Sequence, residues 1–66
     1  MKVRIIDISE DDAYYHTKDD IIGIIGDVVG KLYPIRLGGD GWVSACIDVN
    51  GKELYFYEVK CVEVED

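Results

Sequence analysis

The sequence predicts an all-β fold, a small five-stranded barrel with a long acidic first loop, and three observations carry that expectation. The first is Asn50-Gly51, set between the alternating run Val43, Ala45, Ile47, Val49 and the apolar pair Leu54, Phe56. Both central residues of a type I′ turn need positive φ, which Asn and Gly tolerate best, so this dipeptide signals a tight hairpin. The second is Gly23-Ile24-Ile25-Gly26-Asp27-Val28, where two glycines mark the start of a β-branched run and so a bend, a bulge or a close backbone approach. The third is period-two alternation of apolar and polar residues at both ends of the chain, the mark of strands with one face buried.

The elements follow in order. Val3 and Ile5 alternate with Lys2, Arg4 and Asp7, which sets a first strand over residues 2 to 8. Ser9 is a helix-capping residue type ahead of Glu10-Asp11-Asp12, but the stretch through Asp20 has too little apolar periodicity for more than a turn. It is therefore read as the long acidic loop. Residues 22 to 33 are rich in β-branched side chains and give the second strand, entered after the second glycine. Leu37-Gly38-Gly39-Asp40-Gly41 is a flexible turn. Val43, Ala45, Ile47 and Val49 then form one face of a third strand, with Trp42, Ser44, Cys46 and Asp48 on the other. Beyond Asn50-Gly51, Leu54 and Phe56 point inward while Tyr55 and Tyr57 point outward. Val62 and Val64, as an apolar face, alternate with Cys61, Glu63 and Glu65 in a last strand.

Composition narrows the function. The 66 residues fit one domain, residues 1–66, and a chain this short buries only about 60% of its unfolded surface, leaving little core around a deep pocket. No residue set forms a catalytic or cofactor signature, so the reading is non-enzymatic with no cofactor. Fourteen acidic against seven basic residues give a net charge of −7, which repels phosphate backbones and anionic membranes. Direct nucleic-acid binding and membrane association are disfavoured. No apolar run approaches the roughly 20 residues that span a bilayer, and the short apolar stretch after Lys2 and Arg4 is not a signal peptide. A cytoplasmic location is expected. In that setting Cys46 and Cys61 are free thiols; a bridge between them would require export.

The order and spacing of these elements resemble the SH3-like barrel superfamily, with its KOW and Tudor-like relatives. The residues that carry the resemblance are Val3-Arg4-Ile5, the Gly23-x-x-Gly26-x-Val28 entry to the second strand, Trp42 opening the third, and Asn50-Gly51 as distal hairpin. The resemblance further implies a short helical turn at Tyr57-Glu58-Val59 before the last strand. In length and strand order the chain is also similar to small uncharacterised SH3-like proteins of bacteriophages and prophages, such as the YorP family. KOW modules that bind RNA carry basic residues around the Gly-x-x-Gly turn; here that turn holds Ile24 and Ile25, followed by Asp27. Peptide-binding SH3 domains have an Ala-Leu-Tyr-Asp-Tyr motif, echoed only faintly by Asp12-Ala13-Tyr14-Tyr15, and two adjacent tryptophans where this chain has Trp42 alone.

The function expected is a non-catalytic protein-interaction module, an accessory protein of phage or prophage type, that docks a partner with a basic surface or a peptide carrying proline and basic residues. Acidic loops beside Tyr14, Tyr15, Trp42, Tyr55 and Tyr57 suit such a ligand, with Asp11 and Asp12 supplying charge. Each member has a structural competitor. Trp42, Tyr55 and Tyr57 are either a contact surface or cross-strand pairs that stabilise a small sheet, and Ile24 and Ile25 are either an exposed patch or partly core. His16 is read as a solvated loop histidine. With Cys46 and Cys61 it lacks zinc-ligand spacing, and Asp48-x-Asn50-Gly51 fails as a calcium loop because Val59 stands where a bidentate Glu is required. The alternative reading is a nucleic-acid mimic, in which Asp11, Asp12, Asp19, Asp20, Asp27 and Asp40 line one face and occupy a host enzyme's DNA or RNA site. The unpaired strand edges of an open barrel leave dimerisation open as well.

Overall fold

Four antiparallel strands, hydrogen-bonded in a ring, build the protein in a computed structural model that describes residues 1–35 and 41–64. In chain order these are β1 (Lys2–Ile8), two short helices α1 (Glu10–Tyr15) and α2 (Lys18–Ile21), β2 (Ile25–Pro34), β3 (Trp42–Val49) and β4 (Lys52–Glu63). Of the turn expected over residues 37–41, residues 37–40, Asp40 included, lie outside the described residues. Among the described residues no helix is long and apolar enough to cross a membrane.

The all-β barrel stands; its strand count does not. The expected fourth and fifth strands are one continuous strand, β4, which pairs with β3 from Lys52 to Lys60 and with β1 from Val59 to Glu63. Closing the ring without a break requires β4 to change partners, and it does so through a bulge. Val43 aligns with Val59 but Ala45 with Phe56, so Tyr57 and Glu58 occupy the extra space. An extra residue shifts the side-chain parity of everything beyond it. Phe56 and Val59, three positions apart, are therefore both fully buried. The resemblance-based helical turn at Tyr57-Glu58-Val59 is this bulge instead. The same shift reverses the expected facing of the last segment: Val62 is 46% exposed, while Cys61, aligned with buried Ile5, packs against the core. A matching irregularity in β1 between Ile5 and Asp7 leaves Ile6 outward and returns Ile8 to the interior.

The two other sequence signals are structural devices. Asn50 (φ 54°) and Gly51 (φ 85°) form the two-residue turn between Val49 and Lys52, and the Gly51 N–H donates to Asp48 Oδ1 at 2.8 Å. Gly26 answers to close approach. A Cβ at this position would lie 2.6 Å from both the Asp48 carbonyl oxygen and Ile47 Cγ2, so only glycine lets β2 cross β3 this tightly.

The interior holds Val3, Ile5, Ile8, Ile21, Val43, Ala45, Ile47, Phe56 and Val59. β1, β3 and β4 supply all but Ile21, which α2 brings in. The expected long acidic loop is thus a pair of helices that lie against β1 and β4. Ser9 starts α1 by accepting from the Asp12 N–H at 3.2 Å, as N-cap residues do. Too short to be stable alone, α1 is held by tertiary bonds. The Ser9 N–H donates to the Glu58 carbonyl at 3.0 Å, and the Asp12 carboxylate reaches β4.

Candidate functional site

Asp12 sets the geometry of the site. Its side chain is 1% exposed and accepts from the backbone N–H groups of Tyr57 (3.0 Å) and Glu58 (2.7 Å) and from the Ser9 hydroxyl (3.3 Å). The bulge turns those two N–H groups away from the neighbouring strand, and a buried carboxylate oxygen for each removes the cost of leaving them unpaired. Asp12 is therefore not the partner contact its sequence position suggested; it is the rivet that fixes α1 to β4.

With α1 riveted there, its C-terminal tyrosines meet the outward tyrosines of β4. Tyr14 and Tyr15 pack edge to face with ring centroids 5.1 Å apart, and Tyr55 and Tyr57 do the same at 5.1 Å, the geometry aromatic quadrupoles favour. All four are more than half exposed. Two adjoining hollows lie among them. The larger, about 690 Å³, is lined by Glu10, Asp11, Tyr14, Tyr15, Tyr57 and Glu58; the smaller, about 330 Å³, by Tyr15, His16, Tyr55 and Tyr57. Three carboxylates border the first, and rings alone form the second.

His16 is no free loop side chain. Its ring sits 4.7 Å from that of Phe56, and its Nε2 is 3.2 Å from the Tyr55 carbonyl oxygen, so it covers the edge of β4 where that strand has left β1. The Tyr55 hydroxyl is 3.2 Å from Ser44 Oγ, which itself lies 3.3 Å from the Phe56 carbonyl oxygen. These contacts hold Tyr55 against β3.

Of the residues singled out in the sequence, Tyr14, Tyr15, Tyr55, Tyr57 and Asp11 come together. Four do not. Trp42 is half-buried at the start of β3, aligned with Lys60 beyond the bulge, and is not among the residues lining the hollows. Ile24 packs against the core, Ile25 is 42% exposed on the far side of β1, and Asp12 is buried. Glu10, Glu58 and His16 are lining residues the sequence reading did not select. Glu58 faces the hollow only because of the bulge, which strand periodicity does not announce.

The remaining charge chemistry is modest. Lys18 Nζ lies 3.0 Å from Asp7 Oδ1, and this hydrogen bond holds the Asp7 carboxyl below its ordinary range, against a smaller opposing effect of burial. Burial pushes the Cys61 thiol up. Cys46 lies on the outward face of β3 and Cys61 on the inward face of β4, and they are not joined. Among the described residues no cluster of three or more metal-ligating side chains occurs. Comparison with family models, with curated proteins and with solved structures returns no match to this chain.

Proposed function

We propose that this chain is a non-catalytic interaction module, an SH3-like barrel of the phage or prophage accessory kind, whose tyrosine face docks a partner segment carrying basic and apolar or proline residues. The carrying observation is the pair of adjoining hollows, one ringed by Glu10, Asp11 and Glu58 among tyrosines, the other lined by Tyr15, His16, Tyr55 and Tyr57. A cationic side chain in the first gains carboxylate contacts and ring faces together. Prolines or aliphatic groups suit the second, because rigid aromatic walls bind a preformed extended segment at little entropic cost. The net charge of −7 speeds encounter with a basic partner.

The nucleic-acid mimic is the weaker reading. It needs a run of exposed carboxylates, and Asp12 is withdrawn from that run beneath β4.

Titrating a library of arginine- and proline-containing peptides into isotope-labelled protein is the direct test. Shifts confined to Tyr14, Tyr15, Tyr55, Tyr57 and Glu58, weakened by Tyr57→Ala and by added salt, are expected. Peptide shifts that avoid these residues, or affinity indifferent to ionic strength, would sink the proposal.

A further inference from the structure

Across the outer wall of the barrel runs a second surface whose chemistry complements the tyrosine face. Arg4 of β1 aligns with Ile25 of β2 on one side and Val62 of β4 on the other, and Ile6 is the next outward residue along β1. Ile25, Val62 and Ile6 are 42%, 46% and 43% exposed. Arg4 is exposed and, among the described residues, makes no ion pair or side-chain hydrogen bond. Lys18, by contrast, is bonded to Asp7. A guanidinium with aliphatic neighbours on three sides, on a molecule with a net charge of −7, has the composition of an interface centre rather than of an ordinary solvated face.

We infer that the protein associates with itself head to tail, the acidic tyrosine hollow of one copy receiving the Arg4 face of the next. This rests on the proposed reading of that hollow as a dock for a cation with apolar flanks. Complementary charge and apolar composition select a second copy as occupant. Glu10, Asp11 and Glu58 offer carboxylate oxygens that a guanidinium engages in pairs, and Tyr14, Tyr15 and Tyr57 offer ring faces for the guanidinium plane and the aliphatic row. The two surfaces do not overlap. None of the hollow's lining residues belongs to the Arg4 row, and Arg4 stands five positions before Ser9, about 16 Å at the rise of a strand. One copy can therefore give and receive at once. Unlike surfaces make the contact heterologous, so it closes a ring or extends. At physiological ionic strength the screening length is about 8 Å, short enough to mute repulsion between whole molecules while sparing contact pairs.

Sedimentation at physiological ionic strength tests this. The wild-type mass should rise with protein concentration, and Arg4→Glu and Asp11→Arg should each weaken association by roughly tenfold or more. Mixed in equal amounts, the two variants retain one unaltered contact, the hollow of the first against the Arg4 of the second, and should associate again. Circular dichroism confirms that each variant is folded, and Tyr14→Arg replaces Asp11→Arg if the helix terminus does not tolerate the change. A wild type that stays monomeric up to its solubility, an Arg4→Glu protein that assembles as the wild type does, or a mixture that remains monomeric overturns the inference. A basic peptide titrated in parallel separates the two readings: peptide binding without assembly defeats self-association and leaves the dock standing, while neither defeats both.

Discussion

Asp12 shows how one side chain joins folding to surface construction. Its two oxygens each take a backbone N–H that the β4 bulge has freed, so an amide at this position would present a donor to one of them. Asp12→Asn should cost about 1 to 3 kcal/mol and Asp12→Ala about 2 to 4, measured by urea unfolding, since buried donors left unsatisfied carry the full desolvation penalty. Losing the rivet should also scatter the resonances of Tyr14 and Tyr15 even in the fraction still folded. Gly26 is equally constrained. Gly26→Ala places a methyl against a backbone oxygen at 2.6 Å, which side-chain rotation cannot relieve, and should destabilise by about 1 to 3 kcal/mol. At Cys61, burial raises the thiol's pKa above its ordinary value, so the thiolate is scarcer in the folded state. The contribution of this thiol to stability is therefore lost only as pH rises above the ordinary thiol range, where the unfolded chain ionises first. Alkylation of Cys61 should need a higher pH in native protein than in urea; equal pH–rate profiles in the two states would refute the burial argument.

At the scale of elements, β4 and the helical pair depend on each other. The bulge lets one strand serve both halves of the barrel, and α1 supplies the acceptors that the bulge requires. Lys18 ties α2 to β1 through Asp7 at 3.0 Å, with both side chains well exposed, so solvent screening limits the pair to less than about 1 kcal/mol. Because Asp7 titrates lower in the folded state, its contribution is present above the unfolded carboxyl pKa and fades as pH falls through the folded one. Lys18→Met should return the Asp7 carboxyl toward its ordinary value in an NMR titration, and should flatten the loss of stability between neutral and acidic pH by that small amount.

For the molecule as a whole, nine buried apolar residues among those described carry the core, and Phe56 is the largest fully buried one. Phe56→Ala should cost about 3 to 5 kcal/mol, most of the stability of so short a chain. It should leave little native circular dichroism signal at physiological temperature. Phe56→Leu, which keeps more of the volume, should stay folded. The net charge of −7 works against compactness, so raising salt from very low to physiological ionic strength should increase the thermal midpoint as like charges are screened. A midpoint that falls over that range would show that ion pairs outweigh the self-repulsion.

What the residues alone determined is local and periodic. The β1 span, the inward row Val43, Ala45, Ile47, the Asn50-Gly51 hairpin and the outward facing of Tyr55 and Tyr57 were all legible, because each follows from backbone sterics or from a period of two. What only the tertiary structure decided is non-local. No pattern in the chain says that Tyr57 and Glu58 form a bulge, since a bulge is defined by the strand opposite; hence the merged β4 and the reversed facing of Cys61 and Val62 lay beyond sequence periodicity. Nor does the acidic run reveal that Asp12 turns inward. Its periodicity is that of a solvated loop, and the carboxylate is buried because two N–H groups 45 and 46 residues away lack other partners. The tyrosines of α1 and β4 lie 40 to 43 residues apart in sequence, and that one buried acid brings them to a common face.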